Sequence, residues 1–356
     1  MGQRHDLGNP MVGREYVVQC PQISERADGP ERHMMQVLRG GRRRASRHQC
    51  ELMMRVRAER QARAWLVDSR VMVTGSSGRI GQAVAERLTI LGVPLVGIDR
   101  RAGTRTHHVG DLATLDLPRL LQGCEAIVHT AALHAPHVAT ASAPDFVAAN
   151  VTTTMRLIAA ARDVGVARFV FTSTTSIYGK ALEGTGEAVW VDETLVPIPR
   201  DIYDATKFEA EQGVGAAHDA DLSTITLRVA RCFPEPLHAL VVNRLYRGVD
   251  LRDVVDAIVA ALTVNLSEHH VVNVVGPRVF ERSDTPQLWS APATVIDKRV
   301  RWLRDEFAVR GWALPVSIDR VYVSRLASSI LGHRPAHDVR SALGEITGQL
   351  RSDIER

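Results

Sequence analysis

"VMVTGSSGRIGQAV" (Val71–Val84) joins a short apolar, β-branched run to a stretch with helical character, and places glycines at every third position between them: Gly75, Gly78 and Gly81. A strand followed by such a turn and then a helix gives each glycine a physical task. The first permits the tight turn, the second removes a side chain so that a pyrophosphate can approach the helix N-terminus, and the third lets the helix pack close to the sheet. The partial positive charge at that helix end favours phosphate. With Ser77, Arg79 and Ile80, these glycines form the expected dinucleotide cradle.

Outward from this turn the chain alternates strand and helix. "RVMVTG", "PLVGID", "GCEAIVHTAA", "ARFVFTST" and "LSTITLRVA" read as buried strands. "RIGQAVAERLTILG", "LDLPRLLQG", "PDFVAANVTTTMRLIAAARDVG" and "YDATKFEAEQGVGAAH" read as helices between them. "LRDVVDAIVAALTV" is a further helix and "HHVVNVVG" a late strand. The order βαβα predicts an α/β fold, a Rossmann doubly wound parallel sheet spanning 70–277, with a small C-terminal substrate-binding cap over 278–356. Trp312, Tyr322 and Leu326 are read as core of that cap, and "DETLVPIPRD" (Asp192–Asp201) as a loop over the cleft in which Glu193 is a candidate contact.

The composition restricts the setting. The 356 residues are 45% hydrophobic and 24% charged, ample for a large core, with no apolar stretch long enough to span a bilayer. No signal-peptide pattern opens the chain, and the four cysteines (Cys20, Cys50, Cys124, Cys232) contain no CxxC pair. A cytoplasmic protein with reduced thiols is expected. Of the net charge of +4, residues 1–69 supply about +5, from 13 Arg against 8 Asp and Glu. Those residues read as a basic, disordered extension, or as an upstream start with Met53 and Met54 just before the fold. They lack the aromatics and regular elements of a nucleic-acid module, so neither nucleic acid nor membrane is an expected partner.

Two further signals follow the glycine turn. Asp99 ends the next strand, where a carboxylate can accept the hydroxyls of an adenosine ribose. This favours NAD, with NADP as the alternative because Arg79, Arg100 and Arg101 can bind a phosphate. "GDL" brings Asp111 and Leu112 to the adenine end. The second signal is "YDATK", which sets Tyr203 and Lys207 on one helix face. Only three of 44 basic residues are lysine, and Lys207 is one of them. Free tyrosine titrates near ~10, and lowering it by about three units takes roughly 4 kcal/mol, which a lysine ammonium beside a cationic nicotinamide can supply. The phenolate would then take the proton from a carbinol as hydride leaves. "FVFTSTTSIYG" (Phe169–Gly179) offers hydroxyls to complete the set.

Together "TGSSGRIG", "HTAA", "STTSIYG" and "YDATK" resemble the extended short-chain dehydrogenase/reductases, the NAD-dependent epimerase/dehydratase family, from about Arg70 onward. The resemblance implies Thr174, Tyr203 and Lys207 as catalytic residues. It implies Thr130, Ala131, Ala132 and Asn150 as part of the cofactor cleft. It also implies a homodimer built on the helices that carry Asn150 and Tyr203. Thr174-Thr175-Ser176 stands where dehydratases of the family carry Thr-Asp-Glu, so no acid pair serves elimination. The segment from "LRVARCFPEP" to "RGVDLRDVVDA" is shorter than the nucleotide-binding insertion of sugar-nucleotide epimerases, and "RCFPEP" looks like the uronate dehydrogenases. Arg231 stands where those enzymes have Ser, and Leu240 where they have a carboxylate-binding Arg.

His134, Thr175, Arg231 and Arg244 are the candidate contacts to a sugar-like small molecule. His134 and His137 have no adjacent acid or thiol to complete a metal site, so none is expected. The expected activity is hydride transfer between NAD and a secondary hydroxyl of a sugar or sugar acid, with Tyr203 as base. A nucleotide-sugar epimerase that retains its NAD is the first alternative, and a non-catalytic dinucleotide-binding protein the second.

Overall fold

The structure is a computed structural model and describes residues 68–344, apart from 185. The basic extension expected over 1–69 lies outside the described residues but for its last two, as do Cys20, Cys50 and the end of the chain from 345.

The strands are β1 (Val71–Thr74), β2 (Leu95–Asp99), β3 (His108–Val109), β4 (Ala126–His129), β5 (Arg168–Thr174), β6 (Val189–Val191), β7 (Ser223–Val229), β8 (His270–Val274) and β9 (Arg320–Tyr322). Seven form one parallel sheet in the order β3-β2-β1-β4-β5-β7-β8. The order reverses at β1, whose Val71 pairs with Leu95 on one side and Ala126 on the other. In open α/β sheets a ligand crevice forms at such a switch point, beyond the carboxyl ends of the strands.

Alternation along each strand feeds two apolar layers. Val71 and Val73 of β1 enter one, with Val84 and Leu88 of α1 (Arg79–Ile90). Met72 enters the other, with Leu117 and Leu121 of α2 (Leu117–Leu121) and with Phe169 and Phe171 of β5. The long helix expected from Pro144 to Val164 is three segments: α3 (Ala143–Phe146), a π-helical stretch (Val147–Thr152) and α4 (Thr153–Asp163). α5 (Ile202–Ala216) carries "YDATK" and starts on Asp201, whose carboxylate accepts from the Asp204 N–H. The connection after β7 contains a helix, α6 (Leu237–Tyr246), before α7 (Leu251–Thr263).

The core of the cap is not confined to the residues after 277. Its apolar cluster joins Phe280, Leu288, Ile296, Leu303 and Phe307 to Ala188 near β6 and to Val241 and Leu245 of α6. β6 and β9 pair in a parallel two-stranded sheet that fixes this assembly, with Val189 opposite Arg320.

Candidate active site

Gly75 follows β1 directly and has φ +72°, a left-handed conformation that glycine adopts without steric cost. A Cβ on Gly81 would fall 2.1 Å from the Gly75 carbonyl oxygen, so only glycine lets α1 lie this close to the turn. Gly78 differs: the nearest atom to an added Cβ is the Gly75 oxygen at 3.1 Å, and its other side opens to the crevice. Gly78 is also the N-cap of α1 and makes no side-chain cap bond. The first N–H groups of a helix have no partners within it, and here they head a helix whose Arg79, Ile80 and Gly81 line the crevice. A dinucleotide pyrophosphate therefore fits this cradle.

The crevice is a cavity of about 1060 Å³. One end is lined by the glycine turn and by Asp99, Arg100, Asp111 and Leu112. Asp99 is oriented by two backbone donors, Ser77 N–H to Oδ2 at 3.1 Å and Arg101 N–H to Oδ1 at 3.0 Å. Ser77 itself lies behind the cavity wall, its hydroxyl donating to the Arg101 carbonyl at 2.7 Å. Arg100 stands 3.7 Å from Asp111, and Asp111 Oδ1 accepts from Ala113 N–H. Thr130, Ala131 and Ala132 line the middle.

Asn150 does not face the cavity. It sits in the π-helical stretch, 1% exposed, accepts from Leu133 N–H at 2.8 Å and donates to the Leu133 carbonyl at 3.1 Å. Its amide also donates to the Thr206 hydroxyl of α5. The wider π turn aims this side chain inward, so Asn150 ties Leu133 of the cavity wall to α5 instead of lining the wall.

The three residues expected to carry the chemistry meet in this cavity: Thr174 at the end of β5, and Tyr203 and Lys207 on α5. Burial pushes the Tyr203 phenol up to about 12, and the neighbouring Thr174 hydroxyl offsets part of that rise. Burial pushes Lys207 down to about 7, against the carboxylate of Glu211, which holds it up. Lys207 Nζ donates to the Thr172 carbonyl at 2.8 Å and sits 4.0 Å from the centre of the Phe171 ring. The protein's own groups therefore leave the tyrosine raised, and the lowering expected from the sequence needs the cationic nicotinamide beside Lys207 as well. Desolvation, with the nearby carboxylates of Asp204 and Asp201, outweighs the Thr174 hydrogen bond, so the phenol is held in its neutral form.

A buried layer supports these groups. Thr74 Oγ1 and His129 Nδ1 are 2.6 Å apart, and His129 Nε2 and Thr154 Oγ1 are 3.0 Å apart. Thr154 spends its proton on the Asn150 carbonyl, so His129 is the donor to Thr154 and Thr74 the donor to His129. Burial, with Lys207 nearby, lowers His129 to about 3, which keeps it neutral. On the other side Arg228 Nε bonds both oxygens of Glu211 at 3.1 Å, and Tyr178 donates to Asn273 at 2.9 Å.

The substrate candidates divide. His134, Thr175 and Arg231 line the cavity. His134 is exposed to solvent in the cavity, yet crowding by the surrounding wall and the charges of Lys207, His137 and Arg101 lower it below the ordinary imidazole range, and its backbone N–H donates to His137 Nδ1. Arg231 bonds Glu235 at 2.9 Å through Nε. Arg244 lies outside the cavity: it is 8% exposed, bonds Asp250 at 2.8 Å and donates to the His337 carbonyl, so it secures the fold. Glu193 is likewise a clasp. Its carboxylate accepts from Asn273 N–H, the Ser324 hydroxyl and Arg325 N–H. Sequence reasoning missed Ser176, Arg200, Arg247, Arg320 and Tyr322, all of which line the cavity. The position of Arg200, three residues before Tyr203, was the only signal available for it. No helix among the described residues is long and apolar enough to cross a membrane.

Comparison with known proteins agrees with this geometry. Residues 71–236 match the NAD dependent epimerase/dehydratase family. The 2-alkyl-3-oxoalkanoate reductase of Stenotrophomonas maltophilia (strain K279a) is 34% identical over 169 residues, 45% of this chain and 49% of that one. The UDP-glucose 4-epimerase of Azospirillum brasilense is 30% identical over 173 residues, 45% of this chain and 48% of that one. The chain spans about half the length of these curated relatives. A short-chain dehydrogenase/reductase superfamily protein from Agrobacterium tumefaciens, solved with bound NAD, superposes with a TM-score of 0.61 at 22% identity, covering 81% of this chain and all of that one. MoeE5 in complex with UDP-glucuronic acid and NAD superposes at 0.59 with 24% identity, covering 78% and 97%. At these identities the structural likeness is one of fold. The glycine turn, Asp99 and "YDATK" all lie within residues 71–236, the segment that matches the NAD dependent epimerase/dehydratase family.

Proposed function

We propose that the protein is an NAD-dependent oxidoreductase acting on a secondary hydroxyl of a sugar or sugar acid. The observation that carries this reading is the meeting of Thr174, Tyr203 and Lys207 in the cavity whose far end holds the glycine cradle and Asp99. The cradle would hold NAD, which would supply the hydride acceptor for oxidation of a carbinol carbon. Gly75, Gly78 and Gly81 would admit its pyrophosphate, and Asp99 would accept from the adenosine ribose.

The residues of the chain manage the proton. Thr174 orients the substrate oxygen toward Tyr203, and Tyr203 Oη takes the hydroxyl proton as the carbon is oxidised. Lys207, held on the Thr172 carbonyl, supplies the adjacent positive charge. The rise of Tyr203 to about 12 means that the phenolate forms only when positive charge is gathered beside it. This couples base strength to an occupied, oxidised cofactor site.

Retained NAD and return of hydride to the opposite face would make the same site an epimerase. The similarity to the UDP-glucose 4-epimerase of Azospirillum brasilense favours that outcome, and the similarity to the 2-alkyl-3-oxoalkanoate reductase favours net hydride transfer. Purified protein incubated with NAD and a panel of aldoses, uronic acids and nucleotide sugars, followed by NADH absorbance, separates the two. NADH growth on one substrate, reduced at least a hundredfold in Tyr203→Phe with NAD affinity unchanged, is the expected result. NAD released on denaturation with no NADH growth points to epimerisation, read next by NMR of sugar isomers. Tyr203→Phe with full turnover in either assay would sink the assignment of the base.

A further inference from the structure

Arg200 lies in the turn ahead of α5, next to the acid–base pair, and its side chain is tied down on one edge only. Nε stands 3.2 Å from Asp204 Oδ2, and the Arg200 backbone N–H points to the same oxygen at 3.4 Å. Nη2 donates to the Ser176 hydroxyl at 3.0 Å. Ser176 in turn donates its backbone N–H to Thr174 Oγ1 at 3.1 Å. Nη1 has no hydrogen-bond partner among the described residues, and Arg200 lines the cavity with Thr174, Ser176 and Tyr203.

The burial on the two sides of this ion pair is unequal. The Asp204 side chain is 0% exposed, and that of Arg200 is 40% exposed. A fully buried carboxylate is costly without partners, whereas a solvated surface pair needs no such burial. Burial raises the Asp204 carboxyl, and Ser176 and Arg200 hold it back. The protein thus fixes the guanidinium through Nε and Nη2 and leaves Nη1 unbonded, on a half-exposed side chain that lines the cavity. A free edge of this kind matches a carboxylate, through two parallel N–H donors. The wider lining has the same sign: seven arginines and one lysine against three aspartates.

We propose that Arg200 is a specificity-determining residue that grips a carboxylate of the substrate, and that Asp204 and Ser176 are the residues that position it. The inference deepens the hydride-transfer reading and rests on it for the reaction, but its test is a binding ratio that can be read without turnover.

The test uses the full chain saturated with NAD and three matched pairs of probes: D-glucuronate and D-glucose, D-galacturonate and D-galactose, UDP-glucuronate and UDP-glucose. Calorimetry gives the acid-to-neutral affinity ratio for each pair. The expected result is an acid preference of at least tenfold in one pair. Arg200→Met abolishes it, Arg200→Lys restores part of it, and both variants keep the wild-type NAD affinity, which reports an intact fold. Absence of any acid preference in the wild type, including absence of binding, overturns the proposal. So does a preference that survives Arg200→Met. NADH formation with the same probes is scored separately, so a lack of turnover counts against the hydride-transfer reading and leaves the ratio interpretable.

Discussion

Replacing Lys207 by Met should stabilise the fold in a pH-dependent way, even as it removes the cation beside Tyr203. Lys207 is 3% exposed, and burial lowers it from 10.5 to about 7. A depressed pKa means that the native state binds its proton less readily than the unfolded state, so stability falls as pH drops from 10.5 through 7. The cost is about 5 kcal/mol at pH 6, where both states are largely protonated, and about 2 kcal/mol at pH 9, where the native lysine is mostly neutral. Methionine fills similar space without a charge to desolvate, but it strands the Thr172 carbonyl that accepts from Nζ. That loss is about 1–3 kcal/mol and does not vary with pH. The variant should therefore gain about 3 kcal/mol more over the wild type at pH 6 than at pH 9. Urea unfolding followed by tryptophan fluorescence at the two pH values measures this directly. A difference between variant and wild type that is the same at pH 6 and pH 9 would refute the claim that the lysine is held in the native state against its own desolvation.

The remaining predictions concern the cofactor end. Gly81→Ala places a Cβ 2.1 Å from the Gly75 carbonyl, so it should abolish NAD binding and lower stability by about 3 kcal/mol or more. Gly92→Ala, with φ +76° and open space around it, should cost only about 1 kcal/mol of left-handed strain, with NAD affinity intact. Equal effects of the two in thermal unfolding and NAD titration would contradict the cradle geometry. Asp99→Asn keeps a single acceptor where the carboxylate holds two backbone N–H groups. It should weaken NAD by about tenfold and narrow the preference over NADP, as direct titration with each nucleotide would show.

The parts of this site that sequence disclosed are those where residue identity dictates local geometry. Gly75, Gly78 and Gly81 announce a turn that other residues cannot form, and the spacing of Tyr203 and Lys207 announces a shared helix face whatever the helix packs against. The strands showed themselves through short β-branched runs between turns. What stayed hidden depends on distant chain. Nothing in the residues around Asn150 marks the π-helical stretch that turns its amide onto Leu133 and Thr206. Arg244 and Arg200 are chemically identical, and only the fold sends one to Asp250 and the other to the cavity rim. Glu193 looked like a cleft residue because its loop does lead toward the cleft. Its four backbone and hydroxyl partners come from residues 273–326, which no local pattern connects to it. β6 and β9 have three residues each, too short for an alternation pattern to register.

The pairing of β6 with β9 has a consequence for how the chain is made. Val189 meets Arg320 across about 130 intervening residues, and closing a loop of that length costs roughly 4 kcal/mol of chain entropy before any contact forms. During synthesis Ala188, Val241 and Leu245 leave the ribosome well before Phe307, Ile318 and Val321, their partners in the cap. For some seconds at ordinary elongation rates these side chains have no native neighbours. The parallel sheet, complete at β8, is then a finished platform carrying an unfinished apolar seam. A nascent chain stalled between residues 274 and 318 should consequently be the species most prone to aggregate, and the one on which a chaperone acts.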